Sequence, residues 1–547
     1  MTTTTVPAVP RADSRRIRTT TEQLAGTGTL LRLALRRDRL LIPLWALALG
    51  GSFASVARSL AALYETDAAR AEFARSVAAN GTVRALYGPV FADSVGGLTA
   101  WRMAGTGAAL AGAMSLVIVV RHTREEEETG RQEMLSAAMV GRRAALTAGL
   151  LAALAANAAL MLVIVAGMVN SGAGVAGSVA LGAAVGGAGM VFAGTAAVAA
   201  QLTGNARLAK GLTAAALGAA FALKAVGDAA AGAGSSPVPT TWLSPMGWAE
   251  HVRAFGAERW WVLLLPVAAF ALQAVVAYTL AGRRDLGMSF LPARPGPAAG
   301  ALGTAGALAL RLQRGGLAGW AGGFLLAGIA FGGLANGAAE LVGDNEATRR
   351  IFERMGGQRG LTDAFLASMV GMLGMVAALF TVASVLRLHG EETAGRAEPL
   401  LASPVGRLRW AAGHLTIAFG GAALIMALGG VGLSIGYGHD PAGILGAALL
   451  RLPAIWLLGG LAVLLYGLTP SAAPTTTWAA TGLALALGWL GPALNLPPWA
   501  MDLSPFDRLP KLPGGEMAWP PALIMTALAG ALVAGGLAGL RRRDLRG

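Results

Sequence analysis

Apolar runs of roughly 20 residues, long enough to cross the hydrocarbon of a bilayer as a helix, alternate along the chain with short polar segments in which arginines gather. The pattern predicts about twelve transmembrane helices. In the first half they fall near 40–62, 97–120, 144–169, 174–200, 211–228 and 260–281. In the second half they fall near 316–338, 364–386, 409–434, 441–467, 477–495 and 519–540. Arg32, Arg36, Arg37 and Arg39 precede the first run, and Arg121, Arg124, Arg131, Arg142 and Arg143 separate the second from the third. Arg207 and Lys210 follow the fourth, Arg283 and Arg284 the sixth, and Arg541 to Arg543 the last. All lie on one side if that side is the cytoplasm, because basic residues are retained inside. Both termini are then expected there. The stretch 1–23, Thr- and Arg-rich with no apolar core, reads as a disordered cytoplasmic tail and not a cleaved signal.

The polar segments are themselves patterned. Glu126 to Arg142, EEETGRQEMLSAAMVGR, returns as EETAGRAEPLLASPVGR from Glu391 to Arg407, an offset of about 265 residues. The copies share Glu126/Glu391, Glu127/Glu392, Gly130/Gly395, Arg131/Arg396, Glu133/Glu398, Leu135/Leu400 and the Val-Gly-Arg ending at Arg142 and Arg407. Arg36, Arg39 and Trp45 likewise match Arg311, Arg314 and Trp320. Leu243-Ser244-Pro245 matches Leu503-Ser504-Pro505, and Arg283-Arg284-Asp285-Leu286 matches Arg542-Arg543-Asp544-Leu545. The chain is therefore a duplication, with an all-α membrane half at 24–287, a Pro/Gly/Ala linker at 288–303 and a second half at 304–547. With an even number of spans in each, the halves are parallel six-helix repeats, expected to be related by a pseudo-twofold axis along the membrane normal. A short amphipathic helix is expected at 304–315, mirrored by 24–39.

Composition narrows the chemistry. Charged residues make up 13% of the chain and mean hydropathy is +0.59, too apolar for a soluble globule. The net charge of +14 sits in segments flanking spans, which points to membrane orientation and away from nucleic acid. There is no cysteine. The lysines, Lys210, Lys224 and Lys511, fit no phosphate-binding loop, so the chain carries no nucleotide site of its own. His122, His251, His389, His414 and His439 show no metal-ligand spacing, and no cofactor is expected. Gly432-Leu433-Ser434-Ile435-Gly436 has the form of a hydrolase nucleophile elbow, which requires a strand-turn-helix, but lies in an apolar run.

Trp242, Trp248, Trp260, Trp261, Trp499 and Trp519 suit an outer interfacial belt. The spans hold no Asp or Glu in their apolar cores, and Arg58, Arg102 and Lys224 lie near outer ends, where they are expected to snorkel. Arg451 sits deeper. It either lines a pathway or marks a span that begins later. With no buried carboxylate to carry an ion, energy is expected to enter through the duplicated loops, where acidic residues open a short helix and a glycine allows a turn. An ATP-independent carrier with twelve spans is the alternative. Glycines such as those in 182–194 are expected to serve close helix packing.

The paired EETGR-like loops and the LSP and RRDL elements closing each half resemble the permease subunits of ABC-2-type exporters. More narrowly, the chain is similar to the actinobacterial polyketide-antibiotic and multidrug exporter permeases of the tetronasin-resistance type, over nearly its whole length after residue 20. The resemblance implies a bacterial plasma-membrane exporter of hydrophobic compounds that is not itself an enzyme. It further implies two copies of a partner P-loop ATPase, which bring ATP and Mg. Glu126, Glu127, Gly130, Arg131, Glu391, Glu392, Gly395 and Arg396 would then form the ATPase-coupling loops. The second and fifth spans of each half would line the pathway.

Overall fold

The computed structural model describes residues 20–79, 81–131, 140–231, 238–284, 288–291, 302–335, 360–494 and 497–544. The tail before residue 20, Glu133, Leu135, Asp285, Leu286, Leu545, most of the linker and the outer segment 336–359 lie outside the described residues. Among the described residues there are helices and no strands. Eleven helices are long and apolar enough to span a membrane, and another, Ala473–Leu494, occupies the remaining place predicted near 477–495. The protein is an all-α, multi-pass membrane protein. It divides into two compact units, Met1–Pro295 and Gly296–Gly547.

In the first unit α1 (Thr27–Arg37) is a short helix and α2 (Leu41–Leu63) the first span. A small outer helix, α3 (Gly81–Tyr87), precedes the long α4 (Val95–His122), which is followed at once by α5 (Arg124–Glu128). Then come α6 (Ala144–Asn170), α7 (Val175–Leu202), α8 (Ala206–Ala230), the seven-residue α9 (Pro245–His251) and α10 (Leu264–Arg283). α7 is central, packed on α4, α6, α8 and α10. Its glycines serve that packing: a methyl group on Gly189 would collide with the Asn157 amide, and one on Gly194 with the Gln273 amide. The apolar side chains left exposed on the spans, among them Leu44, Leu162, Val226 and Leu272, form the faces offered to lipid.

The second unit comprises α11 (Ala305–Ala335), α12 (Leu361–Thr393), α13 (Arg407–Tyr437), α14 (Pro441–Leu449), α15 (Leu452–Leu468), α16 (Ala473–Leu494) and α17 (Trp519–Arg542). α11 and α13 make the closest pairing: a Cβ on Gly332 would meet the Leu433 carbonyl and one on Gly436 the Ile329 carbonyl, so bare backbone lies against bare backbone.

Three expectations need correction. The amphipathic segment is a separate helix only in the first unit. There Pro43 lacks an amide hydrogen and its ring excludes the carbonyl four residues back, so α1 and α2 break apart. At the offset that pairs Trp45 with Trp320, the matching residue is Ala318, and α11 runs through unbroken. Trp242 and Trp248 are half-buried and held by neighbours, unlike the other belt candidates. Trp242 stacks on His251 at 4.3 Å and on Trp261 at 5.7 Å, and Trp248 Nε1 donates to the Trp242 carbonyl at 2.5 Å. Trp260, Trp261, Trp499 and Trp519 do stand exposed. Lastly, the expectations around Lys224 fail together: it does not snorkel but is fully buried, and the carboxylates of Asp228, near the end of α8, and Glu250 are buried against it, where no buried carboxylate was expected. The Gly-x-Ser-x-Gly motif lies within α13, where Ser434 Oγ donates to the Gly430 carbonyl four residues back at 2.8 Å, so no nucleophile elbow exists there.

Candidate functional site: the duplicated polar loops

Both copies of the loop turn on the same atom pair. The amide of Gly130 donates to the Glu127 carbonyl at 3.1 Å, and the amide of Gly395 to the Glu392 carbonyl at 3.0 Å. The two glycines have φ of +69° and +68°. That left-handed conformation costs any residue with a Cβ. Among the described residues no atom lies within 4 Å of where a Cβ would stand at either position, so backbone conformation is what requires glycine.

Behind the turn each loop is fastened to the end of the last span of its own half. Glu127 Oε1 lies 2.5 Å from Arg284 Nη2 and Oε2 lies 2.9 Å from Nη1, a bidentate pair with side chains 6% and 7% exposed. Glu392 receives Arg543 in the same way, both oxygens at 2.7 Å, with 4% and 14% exposure. The Val-Gly-Arg arginine completes each arrangement: Arg142 donates to the carbonyl of Arg284, and Arg407 Nη1 donates to the carbonyl of Arg543 at 2.6 Å. The latch is thus built twice from aligned residues. Arg543, beyond the end of α17, is held above the usual arginine range mainly by its hydrogen bonds to Glu392.

The other charged residues of the loops pair with one another, Glu391 being itself buried and the arginines open. Glu126 pairs with Arg37 and, at 3.4 Å, with Arg131; Glu391 pairs with Arg396 at 2.8 Å and lies 3.5 Å from Arg387. Arg131 and Arg396 are the most open, their side chains 48% and 60% exposed. The structure therefore divides the eight residues: Glu127 and Glu392 are internal fasteners, Gly130 and Gly395 shape the turn, Arg131 and Arg396 form its surface, and Glu126 and the buried Glu391 hold those arginines from beneath. Arg142, Arg407, Arg284 and Arg543 were not singled out as site residues, although all four lie in motifs that recur between the halves.

The copies also differ. In the first, Glu128 Oε1 accepts the Ala206 amide at 2.8 Å and Glu125 pairs with Lys210, which ties the loop to the start of α8. The second copy has Thr393 in place of Glu128 and Gly390 in place of Glu125, and neither can form these ties. Beside the first loop, buried Asp38 holds Arg121 at 2.6 Å and His122 at 2.5 Å. In the second unit Gln313 Nε2 donates to His414 Nδ1 at 3.1 Å instead.

Arg451 joins α14 to α15 and is 3% exposed. Its Nη1 points to the carbonyl of Phe506 at 3.4 Å, in the outer LSP loop. Burial raises the neighbouring Asp507 carboxyl, against the pull of Lys511 and Arg451. This arginine therefore ties the Leu-Ser-Pro loop to the start of α15. Among the described residues no three His, Asp or Glu side chains come together as metal ligands.

Residues 302–541 match the model of the C-terminal domain of the multidrug efflux system permease Rv1217c. The chain as a whole is 42% identical over 536 residues, 95% of each protein, to the multidrug efflux system permease protein Rv1217c of Mycobacterium tuberculosis (strain ATCC 25618 / H37Rv). The chain belongs to this permease family.

Proposed function

We propose that this permease is the transmembrane subunit of an ATP-driven exporter of the ABC-2 type, in the tetronasin-resistance-like group, which moves hydrophobic or amphiphilic drugs and antibiotics out of a bacterial cell. Two copies of a separate P-loop ATPase, loaded with ATP and Mg, dock on the two duplicated loops from the cytoplasm, where both termini also lie. The chain hydrolyses nothing itself. The observation that carries the reading is the latch: each loop presents an arginine-bearing turn while a buried ion pair joins it to the last span of its half. A push on the turn is then passed to a span instead of being absorbed by a loose loop. Nucleotide would supply the differential free energy for alternating access.

The test is copurification of the tagged chain with its ATPase in gentle detergent, followed by hydrolysis and drug transport in liposomes. About two ATPase copies per chain are expected. Arg131→Glu/Arg396→Glu and Glu126→Ala/Glu391→Ala should weaken docking or coupling while the chain still folds. A permease that purifies alone and transports without nucleotide would refute the assignment. That outcome belongs to the second reading, an ATP-independent carrier, which buried Asp228 and Glu250 favour, since carboxylates near membrane depth commonly carry protons.

A further inference from the structure

Within the first unit, Lys224 Nζ lies 2.8 Å from Glu250 Oε1 and 3.0 Å from Asp228 Oδ2, with side-chain exposures of 0%, 4% and 2%. It also donates to the Leu86 carbonyl at 3.3 Å. One ammonium thus stands between two carboxylates, away from water. Glu250 Oε2 accepts no hydrogen bond. Instead it rests against the backbone of Gly88, where a Cβ would fall 2.6 Å away and where φ is +84°. The same carboxyl lines a narrow cleft with Tyr87, Phe91, Trp101 and Arg253.

Every other cation near Glu250 is engaged elsewhere. Arg84 of α3 donates to the Ala78 carbonyl, Arg102 of α4 lies over the Tyr87 ring at 5.4 Å, and Arg253 lies over Phe91 at 4.6 Å. His251 bonds Thr241 Oγ1 at 2.7 Å, and burial, helped by Arg253, Arg259 and Lys224, lowers it to about 4, so it is neutral. Arg259 acts on His251 and Arg253. α7 contributes to the cleft only the apolar Leu181.

Two buried carboxylates against one ammonium leave an uncompensated negative charge, a costly state that buried groups escape by taking up a proton. We propose that the Lys224–Asp228–Glu250 cluster binds one proton, on Glu250, in this arrangement, and releases it through the cleft when the loop carrying Gly88 draws away and admits water. Burial, with Asp228 adding and Lys224 opposing, raises the Glu250 carboxyl to about 8, in the same direction. The second unit has nothing to match. At the offset that aligns the Leu-Ser-Pro elements, Lys224, Asp228 and Glu250 correspond to Ala484, Gly488 and Pro510. A proton site in one half alone makes opening of this outer corner sensitive to external pH, whatever energy source drives transport.

The test is infrared spectroscopy of the full chain in lipid nanodiscs, reading the carbonyl band of a buried protonated carboxyl as pH is raised. A band present at neutral pH that fades with a midpoint near 8 is expected. It should be missing from Glu250→Gln. Asp228→Asn keeps Lys224 and Glu250 as a balanced pair, so the band should also vanish at neutral pH in that variant. Gly88→Ala, which pushes the loop off the carboxyl, should lower the midpoint by about one pH unit or more, roughly a tenfold loss of proton affinity. Absence of a protonated band in the wild type, its survival in Glu250→Gln, or an unmoved midpoint in Gly88→Ala would overturn the proposal.

Discussion

Replacing Arg543 by alanine offers the sharpest test of the latch. Glu392 would lose its bidentate guanidinium and keep the Tyr466 hydroxyl, which donates to Oε2 at 2.5 Å, with its side chain only 4% exposed. Removing one member of a buried ion pair costs about 3–5 kcal/mol because the other charge is left uncompensated. The guanidinium also lies over the Tyr466 ring at 4.8 Å, a cation–π contact whose loss adds about 0.5–1 kcal/mol. Arg543→Ala/Glu392→Leu removes both charges and should recover most of that cost. The coupling in the double-mutant cycle should therefore exceed about 2 kcal/mol, read from unfolding of the purified chain in nanodiscs. Hydrogen exchange of residues 390–396 should rise in the single variant and return toward wild type in the double. The same cycle at Arg284 and Glu127 should give a smaller coupling, because Arg124 also pairs with Glu127 and keeps its charge compensated. A single-variant loss below about 1 kcal/mol, the range of exposed pairs, would show that the latch is not a buried fastener and would remove its claim to transmit force.

Gly130→Ala and Gly395→Ala should each cost about 1–2 kcal/mol from backbone conformation alone, with asparagine milder than alanine; thermal melting and ATPase stimulation would measure both. Because the folded Glu250 carboxyl is raised to about 8 from an ordinary 4.5, its contribution to stability is complete below the ordinary value and is lost as pH climbs through 8. The wild type should therefore melt lower at alkaline pH, and Glu250→Gln should flatten that slope. Gly436→Leu should force α11 and α13 apart and abolish the monodisperse peak on size exclusion, since the Ile329 carbonyl already occupies the space. Asp38→Asn removes the buried carboxylate that Arg121 and His122 share and should destabilise the first unit by about 1–3 kcal/mol, read from thermal unfolding.

Much of this was legible in sequence because hydropathy and duplication are one-dimensional signals. The span positions, the turn glycines and the pairing of Arg131 and Arg396 with their glutamates all follow from local spacing. What spacing could not reveal was contact between distant segments. Glu127 and Arg284 are separated by 157 residues, so nothing local distinguishes a glutamate that points outward from one locked inside. Lys224 was misread for the same reason: a lysine near a span end usually snorkels, and only folding brings Glu250 from the following outer loop to meet it. Trp242 likewise carried the mark of an interface residue until His251 and Trp261 closed on it.

The fusion of two halves in one chain gives each corner of the molecule its own evolutionary freedom. A protein assembled from two identical subunits must accept every substitution twice. Here the polar loops, with Glu127 and Arg284 echoed by Glu392 and Arg543, are alike in the two units, while the buried charges at the other ends of the spans differ: Lys224, Asp228 and Glu250 in the first unit, Arg451 and Asp507 in the second. Such a chain can keep one pair of loops in common and give each unit a chemistry of its own elsewhere.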